Sequence, residues 1–330
     1  LPLVEDPAIT EAIDRRFAKR GMNMPEINRR QADVLQGATA LSNPHGTAPG
    51  QYIEHGEKAL VLLPGPPREM QTMLDALCDG PLGARAGAER VYRTSFFVTG
   101  RSESHVDAAL QPVYSRWATD RAPIETTILA SPGQIELHLS MRSADPDTAA
   151  KRLAEAREEL VALVAPDVFS VDGASMEQVV GGLLRERRLT FAAAESCTGG
   201  LLLSRLTDVG GSSAYIVGGA VLYSNDLKTA VAGVPPELIT AHGAVSEPVA
   251  VAMAEGIRER TGAHVAVAIT GIAGPDGGTP DKPVGTVAIA AIVPHAHAGV
   301  RTFAFLGNRT LIKFNATQAA MEMVRRALIG

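Results

Sequence analysis

The sequence is poor in several residue types that would mark particular classes of protein. Two of its 330 residues are cysteine, which is too few for a disulfide framework. Aromatic residues make up 4%, so the cores must be built from Val, Leu, Ile and Ala. Apolar runs are short as well, and none approaches the ~18 residues that a membrane-spanning helix needs. These shortages favour a globular protein of a reducing compartment that does not enter a membrane.

An excess of basic residues is also missing. The formal net charge is −5, whereas a broad nucleic-acid surface needs surplus Lys and Arg to neutralise phosphates. Hydrophobic residues at 45% and charged residues at 20% are ordinary for a globular chain. The start of the sequence carries no recognisable targeting signal. We therefore expect a cytoplasmic protein without a nucleic-acid partner.

The hydrophobic pattern divides the chain into three zones, at 1–85, 86–172 and 173–330. In the first zone, Pro7 begins an amphipathic helix, a second helix follows Pro25, and the run KALVLLP predicts a buried strand. Proline- and glycine-rich loops flank that strand. Such loops suit a phosphate or a nucleotide, although structural turns are the commoner reason for them.

The second zone predicts a small α+β module with the order β-α-β-β-α. Asp145 and Pro146 have the residue types of an N-cap and a first helical position, and they open its last helix. The order is that of a KH domain in outline. A KH domain would clamp nucleic acid with a GXXG loop, which this zone lacks. We therefore interpret the module as structural.

The third zone alternates apolar strands with helices. Ser175 and Gln178 have the spacing of a capping box at its first helix. The strands, such as TVAIAAIV, are apolar throughout, which is typical of a sheet that helices cover on both faces. The fold class is therefore α/β, with a layered sheet in the third zone.

Turns rich in glycine or polar residues follow three of these strands, at 195–200, 224–226 and 271–278. Ligands of open α/β sheets bind at the carboxyl ends of strands. Helix N-termini and glycine-rich turns present N–H groups to anions. Three such turns at one sheet edge predict a phosphorylated ligand.

Two nucleophiles are available near these turns. Cys197 lies at a predicted helix N-terminus, which lowers a thiol pKa, but no histidine base stands nearby. Ser213 could be activated without histidine, since Lys228 could act directly or through Tyr223. The alternative is structural: a buried cysteine, a strand-end tyrosine and a solvated lysine. Spacing favours the structural alternative.

A dehydrogenase interpretation is set aside. Short-chain dehydrogenases also use Ser, Tyr and Lys, with Tyr and Lys four apart on one helix. Tyr223 and Lys228 are five apart, with the capping residues Ser224 and Asn225 between them. The GxGxxG dinucleotide fingerprint is absent too.

Longer motifs carry a family resemblance. AAAESCTGG, GSSAY, YSNDLK, HGAVSEP and TGIAGPDGG, in this order, resemble the CinA family of competence/damage-inducible proteins. The resemblance implies a three-layer α/β nicotinamide-nucleotide amidohydrolase domain at 173–330. PEINRRQA, NPHGTAPG and LPGPPREM are similar to the family's molybdopterin-binding-like N-terminal domain, which would occupy 1–85. A KH-like module would fill 86–172.

The resemblance also implies a reaction, the hydrolysis of the nicotinamide mononucleotide carboxamide in pyridine nucleotide salvage. The second serine of GSSA, Ser213, would be the nucleophile, with Tyr223 and Lys228 of YSNDLK activating it. No metal or cofactor is implied for this reaction, and the family suggests a homodimer. The nucleotide substrate would lie against the turns and the last helix, at Ser196, Thr198, Gly199, Gly200, Asn225, Thr270, Gly271, Ala273, Gly274 and Arg309.

The resemblance leaves two other functions open. In the family, the N-terminal domain is linked to a metal-dependent ADP-ribose pyrophosphatase activity. Its GDELL-type and GGLGPT-type motifs are missing here, which argues against that activity and its divalent metal in this chain. The other is a non-enzymatic, nucleotide-binding accessory role in competence. Asn308 and Lys313 depart from the family's usual Asp and Arg at the edge of the expected site.

Overall fold

The computed structural model describes residues 1–295 and 299–330. These residues form two compact units, Leu1–Glu89 and Arg90–Gly330. The second and third predicted domains lie together in the second unit, so the boundary between 172 and 173 stays a prediction. Within the described residues, no helix is long and apolar enough to cross a membrane.

The first unit contains two small antiparallel sheets and short helices. Strands β1 and β2 pair with each other, and β3, β4 and β5 form a meander. The elements are β1 (Leu3–Glu5), α1 (Pro7–Ala18), α2 (Glu26–Arg29), β2 (Asp33–Leu35), β3 (Thr39–Leu41), β4 (Gly50–His55), β5 (Lys58–Leu62), α3 (Pro67–Asp79) and α4 (Pro81–Arg85).

The predicted helix at Pro7 is confirmed as α1. The Asp6 side chain caps its start by accepting a hydrogen bond from the N–H of Ala8 at 2.9 Å. The prediction that KALVLLP forms a buried strand is wrong in part. The strand exists as β5, but Leu60 and Leu62 are 46% and 43% exposed. It is the edge strand of its meander and, within the described part of the chain, pairs with β4 alone.

The second unit begins with a four-stranded antiparallel sheet in the order β7-β8-β6-β9. The elements are β6 (Arg90–Val98), α5 (Glu103–Trp117), β7 (Glu125–Ser131), β8 (Gln134–Ser143), α6 (Pro146–Val164) and β9 (Val168–Ser170). The β-α-β-β-α order is confirmed, with β9 as a further strand. Asp145 caps α6, whose buried stripe includes Leu153 and Leu160. This stripe and the inner face of the sheet form one apolar core.

The rest of the unit is a five-stranded sheet in the order β11-β10-β12-β13-β14. Strands β11, β10 and β12 are parallel, and β13 and β14 are antiparallel to their neighbours. The elements are α7 (Met176–Glu186), β10 (Phe191–Glu195), α8 (Leu201–Thr207), β11 (Ile216–Val221), α9 (Asn225–Ala232), α10 (Pro236–His242), α11 (Glu247–Thr261), β12 (Val265–Gly271), β13 (Thr286–Ile292), β14 (Gly299–Ala304) and α12 (Arg309–Ile329).

Helices cover both faces of this sheet, as the apolar strands predict. One face packs its larger side chains, such as Val267 and Ile269, against α7 and α12. The opposite face presents small side chains, such as Ala192 and Ala268, to α11. The predicted capping box at Ser175 and Gln178 is also present at α7. The α/β fold class is therefore confirmed.

The three predicted turns lie at one edge of the sheet. They follow β10, β11 and β12, and these three strands run parallel as neighbours. Parallel strands end on the same side, so the turns at 195–200, 224–226 and 271–278 are brought together. This edge holds the candidate site.

Candidate active site

A buried serine and a buried lysine meet where β10 and β11 end. The Lys228 Nζ lies 3.3 Å from the Ser196 Oγ, and the two residues are 2% and 7% exposed. Ser196 follows β10 directly, and its N–H donates to the Ile269 carbonyl at 2.9 Å. Lys228 lies in the first turn of α9, which the Ser224 side chain caps. Two strand ends and one helix therefore fix the pair.

The lysine has backbone partners instead of a carboxylate. Its Nζ lies 3.0 Å from the Leu222 carbonyl and 3.4 Å from the Tyr223 carbonyl. Among the described residues, Lys228 forms no ion pair. Burial lowers the pKa of the Lys228 ammonium, because the charged form loses water solvation. An amine in these surroundings can become neutral and accept a proton.

A buried carboxylate, which the motifs did not single out, shapes the turn after β10. Glu195 is fully buried and accepts hydrogen bonds from the N–H groups of Gly200, Leu202 and Leu203 at 3.0–3.1 Å. These N–H groups belong to the start of α8. Glu195 therefore occupies the helix N-terminus that Gly199 and Gly200 were expected to offer to a phosphate.

Replacing Glu195 with alanine should destabilise the protein strongly. Three N–H groups lose their acceptor, and each unsatisfied buried group costs about 1–3 kcal/mol. We expect the free energy of unfolding to fall by at least about 3 kcal/mol. Denaturant unfolding measures this change, with the exposed Glu186→Ala variant as a control. Equal stability of the two variants would contradict the capping role.

The predicted nucleophile Ser213 does not join Tyr223 and Lys228 within the chain. It lies in a short 3-10 helix, Ser212–Ala214, before β11, whereas Tyr223 and Lys228 follow that strand. The six residues of β11 span about 20 Å. Tyr215 directly follows the 3-10 helix. Its carbonyl accepts a hydrogen bond from the N–H of Phe191, the first residue of β10. The exposed Ser213 is therefore at the opposite end of the sheet.

Tyr223 faces the opening of the site. It is 62% exposed, and its hydroxyl accepts a hydrogen bond from the Arg309 guanidinium at 3.1 Å. Arg309 also donates to the Gly274 carbonyl at 2.7 Å, which ties α12 to the turn after β12. Lys228 contacts the carbonyl of Tyr223 and not its hydroxyl. The tyrosine is therefore placed with Arg309, away from the buried amine.

The remaining predicted residues divide into exposed and buried groups. Asn225 is exposed at the start of α9, and Gly271 is half-buried at the end of β12. Thr270 is buried, and its hydroxyl donates to the Ala244 carbonyl at 2.8 Å, so it holds a loop. The Thr198 hydroxyl is buried without a partner among the described residues. Ala273 is buried beside these turns.

Cys197 is a buried residue of the apolar core beside the site. It is 5% exposed and packs in the large apolar cluster between the sheet and α12. Burial raises the pKa of its thiol to about 11, so the thiol stays protonated near neutral pH. A protonated thiol is a poor nucleophile. These features favour a structural role for Cys197.

The described residues of the first unit do not provide a cluster for the divalent metal that a pyrophosphatase would use. The described residues contain no group of three or more His, Cys, Asp or Glu side chains that could hold a metal ion. In the loop NPHGTAPG, the Asn43 side-chain Nδ2 donates to the Glu69 carboxylate at 2.6 Å, and the Asn43 Oδ1 accepts from the Gly46 N–H at 2.7 Å. These side chains bind each other and hold the loop in shape.

Together, the fold and the site define an α/β protein with a buried serine–lysine pair at the carboxyl ends of parallel strands. The family described as the CinA C-terminal domain matches residues 173–328. The chain is 44% identical over 333 residues to a CinA-like protein of Koribacter versatilis, covering 100% of this chain and 79% of that protein. The chain therefore belongs to the CinA family.

Two other proteins are also similar to this chain. A CinA-like protein of Acidobacterium capsulatum is 44% identical over 335 residues, covering 99% of this chain and 79% of that protein. The crystal structure of the competence/damage inducible protein CihA from Agrobacterium tumefaciens is 38% identical, with a TM-score of 0.46. It covers 47% of this chain and 94% of that one.

Proposed function

We propose that the chain hydrolyses the carboxamide of nicotinamide mononucleotide, giving nicotinate mononucleotide and ammonia, with Ser196 as the nucleophile and Lys228 as the base. The observation that carries this proposal is the buried Lys228 Nζ at 3.3 Å from the Ser196 Oγ, without a carboxylate partner among the described residues. Ser–Lys pairs replace the Ser–His pair in several hydrolases. The choice of nicotinamide mononucleotide as the substrate rests on the motifs that resemble the amidohydrolase domain of the CinA family.

The chain's own groups balance the proton transfers of this reaction. Neutral Lys228 takes the Ser196 proton as the Oγ attacks the amide carbon, forming a tetrahedral intermediate. The resulting ammonium then protonates the departing nitrogen, and the C–N bond breaks to release ammonia. Water attacks the remaining ester with Lys228 again as the base. The carboxylate product leaves, and Ser196 recovers its proton.

Backbone N–H groups next to the nucleophile can hold the oxyanion. Among the described residues, the N–H groups of Cys197 and Thr198 donate to no other residue. The N–H of the residue after a nucleophilic serine forms part of the oxyanion hole in other serine hydrolases. Such donors contribute about 3–4 kcal/mol each to transition-state stabilisation. We assign this role to Cys197, with Thr198 beside it.

We assign the phosphate of the substrate to the two cationic side chains of α12 beside the site, Arg309 and Lys313. Arg309 joins Tyr223 to the Gly274 carbonyl there. Lys313 is one turn further along α12, and a Cβ at Gly199 would lie 3.6 Å from its Nζ. Charge-assisted contacts to phosphate are the strong ones among hydrogen bonds. We do not assign the phosphate to the start of α8, because Glu195 accepts hydrogen bonds from the N–H groups there.

The pH dependence of ammonia release tests this function. Only the neutral amine of Lys228 accepts the serine proton, so kcat/KM should rise with pH and level off above the Lys228 pKa. Since burial lowers that pKa, the plateau should begin below the ordinary lysine value of about 10.4. Purified chain is incubated with nicotinamide mononucleotide, and ammonia is measured between about pH 5 and 10. No ammonia release, or a rate that falls steadily as pH rises, would contradict the proposal.

A further inference from the structure

A cavity lies within the second unit, away from the serine–lysine pair. Its volume is about 580 Å³, within the range of small-molecule sites. Its walls come from the β7–β8 turn and the end of β6 on one side, and from β14 and α12 on the other. The Gly133 carbonyl in that turn accepts from the Thr99 hydroxyl at 2.8 Å, which fixes this side of the cavity.

One wall is aromatic. The rings of Phe303 and Phe305 are stacked, with centroids 5.2 Å apart and planes 7° from parallel. The Arg301 guanidinium lies over the Phe303 ring, 4.8 Å from its centroid. Both phenylalanines are half-buried and line the cavity. Aromatic faces of this kind stack on any nucleobase, because every base has a π-face.

A second wall includes two amide side chains that each have a buried atom without a partner among the described residues. Gln318 is 2% exposed, and its Nε2 has no hydrogen-bond acceptor among the described residues. Its orientation is fixed, because its Oε1 accepts from Arg205 at 2.7 Å and the Nε2 must point elsewhere. The Asn315 Oδ1 is an acceptor without a partner on the same wall. Both atoms are shielded from solvent, so a ligand would reach them only after these side chains moved.

The charges around the cavity favour an anion. Asp167 accepts from Arg101 and Arg326, and Glu322 accepts from Arg325 and Arg326, so both acids are neutralised. Arg301 forms no ion pair among the residues that the structure describes. It is the cation that remains for a phosphate, beside the aromatic wall.

From these walls we infer that the cavity is a binding site for a nucleoside monophosphate, separate from the amidase site. The base stacks on the phenylalanine wall, and the phosphate pairs with Arg301. Because the cavity is lined by the four-stranded module and by the five-stranded sheet's own elements, the ligand would bridge the two. Bound ligand would therefore raise the melting temperature of the chain.

Calorimetric titration of the full chain with AMP tests the inference. AMP should bind, and adenosine or ribose 5-phosphate, each lacking one half of the contacts, should bind more weakly. Arg301→Gln should weaken AMP binding about tenfold, and Phe303→Leu about fivefold or more. The control Arg258→Gln, at an exposed arginine of α11, should leave the affinity unchanged. Arg301→Gln should also leave ammonia release unchanged.

Three results would overturn the inference. AMP could fail to bind at millimolar concentration. It could bind with the same affinity to the wild type, Arg301→Gln and Phe303→Leu proteins, which would place it elsewhere. A short single-stranded oligoribonucleotide could bind more tightly than AMP, which would identify a nucleic-acid surface instead. Arg301 is exposed, so its variant should fold and keep the test decisive even if Phe303→Leu does not.

Discussion

Replacing Ser196 with alanine should lower ammonia release from nicotinamide mononucleotide by about a thousandfold or more, because the attacking oxygen is removed. The lysine would remain buried with its two carbonyl partners, so the fold should persist. A single-time-point assay detects the loss, and steady-state kinetics shows whether it lies in kcat. Circular dichroism confirms that the variant is folded.

The matched control is Ser213→Ala. Ser213 is exposed at the amino end of β11, so this variant should keep its activity within about twofold. The two serine variants therefore distinguish Ser196, the nucleophile that the geometry indicates, from Ser213, the nucleophile that the motif resemblance implied. An inactive Ser213→Ala protein, beside an active Ser196→Ala protein, would refute the assignment of Ser196.

Replacing Lys228 should have an effect of similar size. Lys228→Met keeps the length of the side chain and removes the base, so kcat should fall about a thousandfold or more. Lys228→Arg keeps a positive charge that does not deprotonate near neutral pH, and it should be as inactive as the methionine variant. Ammonia release at pH 8 measures both, and thermal melts report stability.

The comparison of these two variants tests the role of the neutral amine. If Lys228 acted only as a positive charge that stabilises the oxyanion, arginine would restore a large part of the rate. Lys228→Arg activity above about a tenth of the wild type would therefore contradict a proton-accepting lysine. Inactivity of both variants, with unchanged melting temperatures, would support it.

Much of the fold was predictable from local patterns. Asp145 before Pro146 and the spacing of Ser175 and Gln178 predicted two helix starts, and both caps are present. Uniformly apolar strands predicted a sheet covered on both faces. The exposure of β5 was not predictable, because composition does not show whether another strand will cover an edge.

The site was predicted in part. The order of strands and turns predicted that three turns would share one sheet edge, and this edge carries Ser196 and Lys228. The resemblance of the motifs to the family indicated Ser213 as the nucleophile. However, GSSAY precedes β11, whereas YSNDLK follows it. Residues on the two sides of a strand lie at opposite ends of that strand. The order of these motifs around the predicted strand therefore already indicated that Ser213 lies far from Tyr223 and Lys228. The capping role of Glu195 depends on its burial and on three specific N–H contacts, which no spacing reveals.

The position of the lysine depends on a residue that touches no reacting atom. Lys228 and Ala232 are one turn apart on α9, and α9 packs against α11. A Cβ at Gly256 of α11 would lie 1.6 Å from the Ala232 carbonyl oxygen, so no side chain fits between the two helices. Any larger residue there would push α9, and the amine with it, away from Ser196. Under the proposed mechanism, Gly256 therefore supports the reaction through the space that it leaves for the Ala232 carbonyl, without touching the substrate.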